Sequence, residues 1–202
     1  NKVCASKSVL DIMLYMSFFP HLVAGPIVRA ADFLYQLKIN SVPNDIKIGQ
    51  SLILILGGLF KKVIIAGHLS TLLVDPIFGD PNSYGTIDLI LAMIGYGIVI
   101  YCDFSAYTDI ATGTANLLGY KFPKNFNQPY RAITIQDFWR RWHITLSSWL
   151  KDYLYIPLGG SRGGALSTYK NLIIVMFLGG LWHGAGLQFL VWGGLHGLGL
   201  VI

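Results

Sequence analysis

Charge is what this 202-residue sequence has least of: Asp, Glu, Lys and Arg make up 12% of it, against 53% hydrophobic residues. Mean hydropathy is +0.55, whereas a soluble domain carries about 25% charged residues. That balance excludes a soluble fold and points to a membrane protein. Cysteine is scarce as well. Cys4 and Cys102 lie far apart, the second inside an apolar segment, which argues against a structural disulfide. The sequence has no HExxH, no paired-cysteine spacing and no GxSxG. Catalytic zinc takes three protein ligands, so no metal site is expected, and the serine-nucleophile pattern is missing. There is no internal repeat, no low-complexity run and no signal-peptide pattern. Because the final residues, GLGLVI, stop inside an apolar run, residues 1–202 read as a single membrane-embedded domain, incomplete at both ends. The net charge of +5 does not indicate nucleic acid, because the cations are scattered between apolar segments in the manner of a positive-inside bias.

What is present reads as helices. Val9 to Val28 is apolar but interrupted by Pro20 and Gly25-Pro26, which suits a broken or re-entrant segment better than a straight span. Pro43-Asn44-Asp45 offers a turn and a helix start. Ile46 to Val74 is long enough to cross a core of about 30 Å. Lys61 and Lys62 fall in its middle and read first as snorkelling lysines at a kink after Gly57-Gly58, with a substrate-pathway role as the alternative. His68 reads as a polar contact near a helix end. The loop Asp75 to Asp88 has three acids and no Lys or Arg, placing it outside. Ile87 to Leu118 returns across the membrane with a polar stripe of Ser105, Asp109, Thr112 and Asn116, while Asp103 and Tyr107 face the other way. Such a stripe serves equally as a cavity wall or as helix-to-helix hydrogen bonding. From Lys121 to Lys170 eight cations meet only Asp137 and Asp152, an interfacial or cytoplasmic pattern.

The densest chemistry lies between Gln136 and Gly197, which hold three of the five histidines. On a helical wheel at about 100° per residue, Phe138, Trp139, Trp142, Leu146, Trp149, Leu150 and Tyr153 share one arc of a helix from Gln136 to Tyr153. His143 sits at its edge. The polar side carries Arg140, Arg141 and Lys151, so the helix is expected to lie in the headgroup region. Asn171 to Leu181 then re-enters the membrane and delivers Trp182 and His183 among glycines. An ionisable side chain at that depth is a functional candidate. His196, about 220° further round a continuous helix, is expected to face elsewhere. Arg140, Arg141 and Lys151 suit either an anionic acyl donor or anionic lipid.

FWRRWH, then DYLYIPLGG, then LWHG forty residues after the first His, together with FFPHLVAGPIVR, GLFKKVIIA, YCDFSAYTDIATG and FPKNFNQPYRA in order, resemble the membrane-bound O-acyltransferase (MBOAT) superfamily, and within it the alginate O-acetyltransferase branch. Tyr35 and Leu187 stand where that branch commonly has proline and an aromatic. The resemblance implies an all-α integral membrane bundle with interfacial and re-entrant helices, multi-pass in a bacterial inner membrane. It implies His183 as the catalytic histidine and His143 as a second site residue, where relatives carry His or Asn. Trp182, Arg140, Arg141 and Asp103 are the candidate substrate- or donor-binding residues. His183 would be the general base that activates an acceptor hydroxyl, or the nucleophile itself. The implied acyl donor is acetyl-CoA or another acyl thioester, with no tightly bound cofactor. The implied partners are the lipid bilayer and an exported polysaccharide, or a periplasmic acetyltransferase partner that delivers to it. D-alanyl transfer to teichoic acid, and a non-enzymatic transporter or scaffold, are the other readings.

Overall fold

A computed structural model describes residues 8–38 and 47–202. Cys4 and the turn expected at Pro43-Asn44-Asp45 lie outside the described residues. Every regular element among the described residues is helical, and these residues group into two compact units, 1–123 and 124–202.

The first unit opens with α1 (Val9–Ser17), whose N-cap Ser8 accepts the Asp11 amide at 3.2 Å. Nine residues rise only about 14 Å, too short to span, in keeping with a broken segment. The chain turns at Phe19–His21 and runs extended into α2 (Ala30–Lys38). An aromatic cluster holds this region. Phe33, fully buried, stacks on Tyr120 at 5.1 Å and meets Phe18 at 4.8 Å, and the Tyr15 hydroxyl donates to the Val28 carbonyl at 2.9 Å. Tilted and edge-on ring pairs of this kind add to plain area burial.

Two long helices follow, α3 (Ile48–Gly79) and α4 (Thr86–Leu117), each 32 residues and apolar enough to cross a membrane. Only 11% and 17% of their most apolar stretches are buried within the chain, so the outward faces are hydrocarbon suited to lipid. The unit is therefore an integral membrane structure. Helix α3 continues through Asp75 to Gly79, which shortens the expected loop, and the chain turns over 80–85 instead. Close approach of the two helices needs a missing side chain at Gly113, where a Cβ would lie 2.7 Å from the Ser51 carbonyl oxygen.

The reading of Lys61 and Lys62 as snorkelling lysines is overturned. Just after Gly57-Gly58, where the kink is expected, helix α3 widens into a π-turn at Phe60–Ala66. Both neighbours reach α4 from that turn. Lys61 donates to Asp109 at 2.6 Å and to the Ser105 hydroxyl at 2.9 Å, while Lys62 pairs with Asp103. Ion pairing neutralises charges that hydrocarbon would otherwise have to accept. At Ser105 and Asp109 the polar stripe is thus helix-to-helix bonding. His68 does make a polar contact, with the Ile64 carbonyl at 2.9 Å, but mid-helix.

The second unit contains α5 (Ile135–Arg141), α6 (Ile144–Leu150), a π-turn at Lys151–Tyr155, then α7 (Ala165–His183) and α8 (Leu187–Val201). Buried Asn171 of α7 donates to the carbonyls of Leu158 and Gly160, at 3.2 and 2.9 Å, and pins the turn that the IPLGG block forms. Helices α7 and α8 make a hairpin through Gly184 to Gly186. A Cβ at Gly193 would lie 2.5 Å from the Met176 carbonyl oxygen, so the hairpin closes only on a residue without one.

The α3–α4 ion pair generates a thermodynamic expectation. Lys61→Met leaves Asp109 without its cation, and because the pair is only partly buried the loss should fall below the about 3–5 kcal/mol of a fully buried pair. In the full-length protein, thermal unfolding in detergent should show Lys61→Met to be less stable than Lys61→Met/Asp109→Asn. Equal or greater loss in the double variant would show that the pair does not hold the helices together.

Candidate active site

The helix expected from Gln136 to Tyr153 is broken, and the break makes the site. Thr134 starts α5 by accepting the Asp137 amide at 3.0 Å, and the Trp142 amide closes it on the Phe138 carbonyl at 2.8 Å. Trp142 is then extended, and His143 takes a left-handed conformation at φ 42° as the N-cap of α6. A continuous wheel therefore misplaces some residues beyond Trp142, although Leu146 and Leu150 are buried as their arc predicts. Trp149 and Tyr153 are exposed, whereas Thr145, Leu146 and Leu150 are buried. Trp142 stays on the aromatic face, stacked on Phe138 at 5.5 Å and edge-on to Phe126 at 5.1 Å.

The strand-like stretch Asn125 to Asn127 runs beside the break and satisfies the helix ends. The Asn127 amide donates to the Arg141 carbonyl at 2.8 Å, and the Ile144 amide donates to the Asn125 carbonyl at 2.9 Å. Asn125, 1% exposed, does more. Its Oδ1 accepts the Thr145 amide at 3.2 Å, the Thr145 hydroxyl at 2.9 Å and His143 Nδ1 at 3.1 Å. A backbone amide can only donate, so the atom facing it is the amide oxygen, and His143 Nδ1 must carry its proton. The Nε2 lone pair is then left to accept a proton or a hydrogen bond. His143 is buried, and burial first, then the neighbouring His183, push its pKa down to about 4. It is neutral at physiological pH.

Helix α7 ends at Trp182 and His183, beside His143. The Trp182 ring lies 6.3 Å from that of His143 and 6.0 Å from that of His183. Both Trp182 and His183 are exposed, so the pair presents one sheltered imidazole and one accessible imidazole. An aromatic layer backs His183. Trp192 meets it edge-on at 5.2 Å, and His196 packs on Trp192 at 4.6 Å and on Trp139 at 5.3 Å. The angle expected for His196 does not apply, because the helix is not continuous, but the Trp192 ring still stands between His196 and His183. The hairpin at Gly184 to Gly186 folds α8 back along α7, which brings His196 within one ring of His183.

The proposed binding residues separate. Arg141 holds Asp137 through its Nε at 2.9 Å and reaches the Asn127 carbonyl at 3.5 Å. Among the described residues Arg140 and Lys151 form no ion pair. Asp103 belongs to the first unit, paired with Lys62. Asn125, Thr145 and Trp192 escaped the sequence reading; the FPKNFNQPYRA block, which contains Asn125, was a signal whose purpose only the fold reveals. Among the described residues no group of three or more His, Cys, Asp or Glu could hold a metal ion.

The buried neutral imidazole gives a pH expectation. An unfolded histidine titrates near 6.5 and folded His143 near 4, so between these values the unfolded state binds the extra proton. Stability contributed at His143 is present above about pH 6.5 and is lost as pH falls towards 4, at roughly 1.4 kcal/mol per unit. His143→Asn removes that titration, and asparagine tolerates the left-handed backbone. Unfolding of the full-length protein at pH 7 and 4.5 should therefore show a steeper loss in the wild type than in the variant. Parallel losses would mean that His143 is not held neutral.

The family model described as membrane-bound O-acyltransferase matches residues 5–202. The chain is 47% identical to the peptidoglycan O-acetyltransferase of Helicobacter pylori, over 96% of this chain and 37% of that protein. It is 43% identical to the probable alginate O-acetylase AlgI of Pseudomonas aeruginosa, over 98% of this chain and 38% of that protein. Identity to the teichoic acid D-alanyltransferase of Bacillus subtilis is 29%, over 92% of this chain and 49% of that protein. The chain thus spans less than half the length of these curated relatives. With a match along nearly its whole length, and with both histidine blocks inside it, this chain belongs to the membrane-bound O-acyltransferase family.

Proposed function

We propose that this chain is the histidine-bearing part of a multi-pass inner-membrane enzyme that transfers an acetyl group from acetyl-CoA or another acyl thioester to a hydroxyl of an exported polysaccharide, or to a periplasmic partner that delivers it. The observation that carries this reading is the pairing of accessible His183 with buried, neutral His143 beside Trp182. In the proposed step the His183 imidazole takes the proton of the acceptor hydroxyl as its oxygen attacks the thioester carbonyl carbon. The carbon–sulfur bond breaks, and the departing thiolate takes up a proton. Trp182 walls the reacting groups. His143, its Nδ1 proton held by Asn125, offers Nε2 to orient the acceptor.

Acetyl is favoured over D-alanyl because the two O-acetylating relatives are 47% and 43% identical, against 29% for the D-alanyltransferase. A transporter reading loses its main support, since Lys61 and Lys62 hold the polar groups Ser105, Asp109 and Asp103.

Positioned acid–base catalysis contributes roughly 10²- to 10⁴-fold in rate. Acetylation of the exported polymer, measured in cells at matched membrane levels of the full-length variants, should fall by that order for His183→Ala and only partly for His143→Asn. A His183→Ala variant that acetylates at the wild-type rate would refute the assignment.

A further inference from the structure

The second unit also contains a cavity of about 280 Å³ that neither catalytic histidine lines. It lies between α5, α6 and the π-turn on one side and α7 with the end of α8 on the other. Its walls are mostly hydrocarbon, chiefly Leu150, Leu172, Val175, Met176 and Leu200, with Gln136, Ser147 and Tyr155 as its neutral polar lining. Arg140 and Lys151 also line it, and no acidic side chain does. Of the three cations that the sequence groups together, Arg141 is taken by Asp137; the other two are the ones that meet at this cavity. Seven residues of α7 separate Met176 from His183, a rise of about 10 Å.

We propose that this cavity is a binding site for an anionic phospholipid, with part of one acyl chain among the aliphatic side chains and the phosphate between Arg140 and Lys151. Charge complementarity selects the head group, since two cations without a counter-charge face a cavity without acids. The walls select the tail. The linking arm of an acyl thioester carries amide groups that need hydrogen-bond partners; this lining offers Gln136, Ser147 and Tyr155 at its polar side but none along its aliphatic side, whereas a fatty chain needs none. The level also fits, because α5 and α6 form the amphipathic, cation-bearing segment expected in the headgroup region. Gln136, which donates to the Leu200 carbonyl at 3.1 Å, ties α5 to the end of α8 and keeps the cavity's two sides together. The inference does not depend on acyl transfer, and the His183→Ala protein should hold the lipid as the wild type does.

The test is lipid retention by the purified full-length protein, delipidated and then offered phosphatidylglycerol or phosphatidylcholine, with bound lipid measured by native mass spectrometry. A basic residue near the surface favours anionic lipid by about fivefold, so two give roughly thirtyfold preference for phosphatidylglycerol. Arg140→Gln/Lys151→Gln should abolish the preference, Arg140→Lys/Lys151→Arg should keep it, and Leu172→Trp, which fills the cavity, should reduce retention of both lipids. Equal retention of the two lipids by the wild type would overturn the proposal. So would unchanged retention in Leu172→Trp, or displacement of phosphatidylglycerol by acetyl-CoA, which would make the cavity a donor site. If the neutralised variant does not fold, the charge-retaining and cavity-filling variants still decide.

Discussion

The second unit turns on one buried oxygen. Asn125 Oδ1 accepts from the Thr145 amide, the Thr145 hydroxyl and His143 Nδ1 within 3.2 Å. A helix that stops at Trp142 and restarts at Ile144 exposes carbonyls on one side and amides on the other, and burying them unpaired would cost about 1–3 kcal/mol each. The Asn125–Asn127 segment supplies partners to both ends, so the break is stable. With the break in place, His143 is confined to one tautomer, in which Nδ1 donates and Nε2 is an acceptor.

The first unit solves a different problem with similar means. Hydrocarbon faces on α3 and α4 suit lipid but give the helices no reason to choose one register. The ion pairs of Lys61 and Lys62, with the close approach at Gly113, supply that choice. Both neighbouring lysines can point at α4 because the helix is widened there. The two lysines are therefore paired within this unit.

The parts of the fold legible in the sequence were those that depend on composition and length: the two long spans, the short first segment and the return at Asn171. Periodicity failed where the helix was not continuous. A wheel drawn through His143 cannot register a left-handed residue, because histidine does not advertise one as glycine would. The same assumption underlies the angle expected for His196, although Gly184 and Gly186 mark the turn. His183 is conspicuous in the sequence as an imidazole among apolar residues. Asn125 is not, since a polar residue in a polar stretch carries no mark of burial until the fold closes over it. Lys61 and Lys62 were noticed for their depth, but their partners lie more than forty residues away, beyond any local pattern.

The central claim is that Asn125 acts on the chemistry through His143. A double-mutant cycle on the proposed acetyl transfer by the full-length protein, using Asn125→Ala, His143→Asn and their combination, addresses it directly. The account predicts that Asn125→Ala slows transfer by about tenfold or more in the wild-type background, the equivalent of one unsatisfied buried group, and by much less when His143 is already asparagine. Equal slowing in both backgrounds would contradict it.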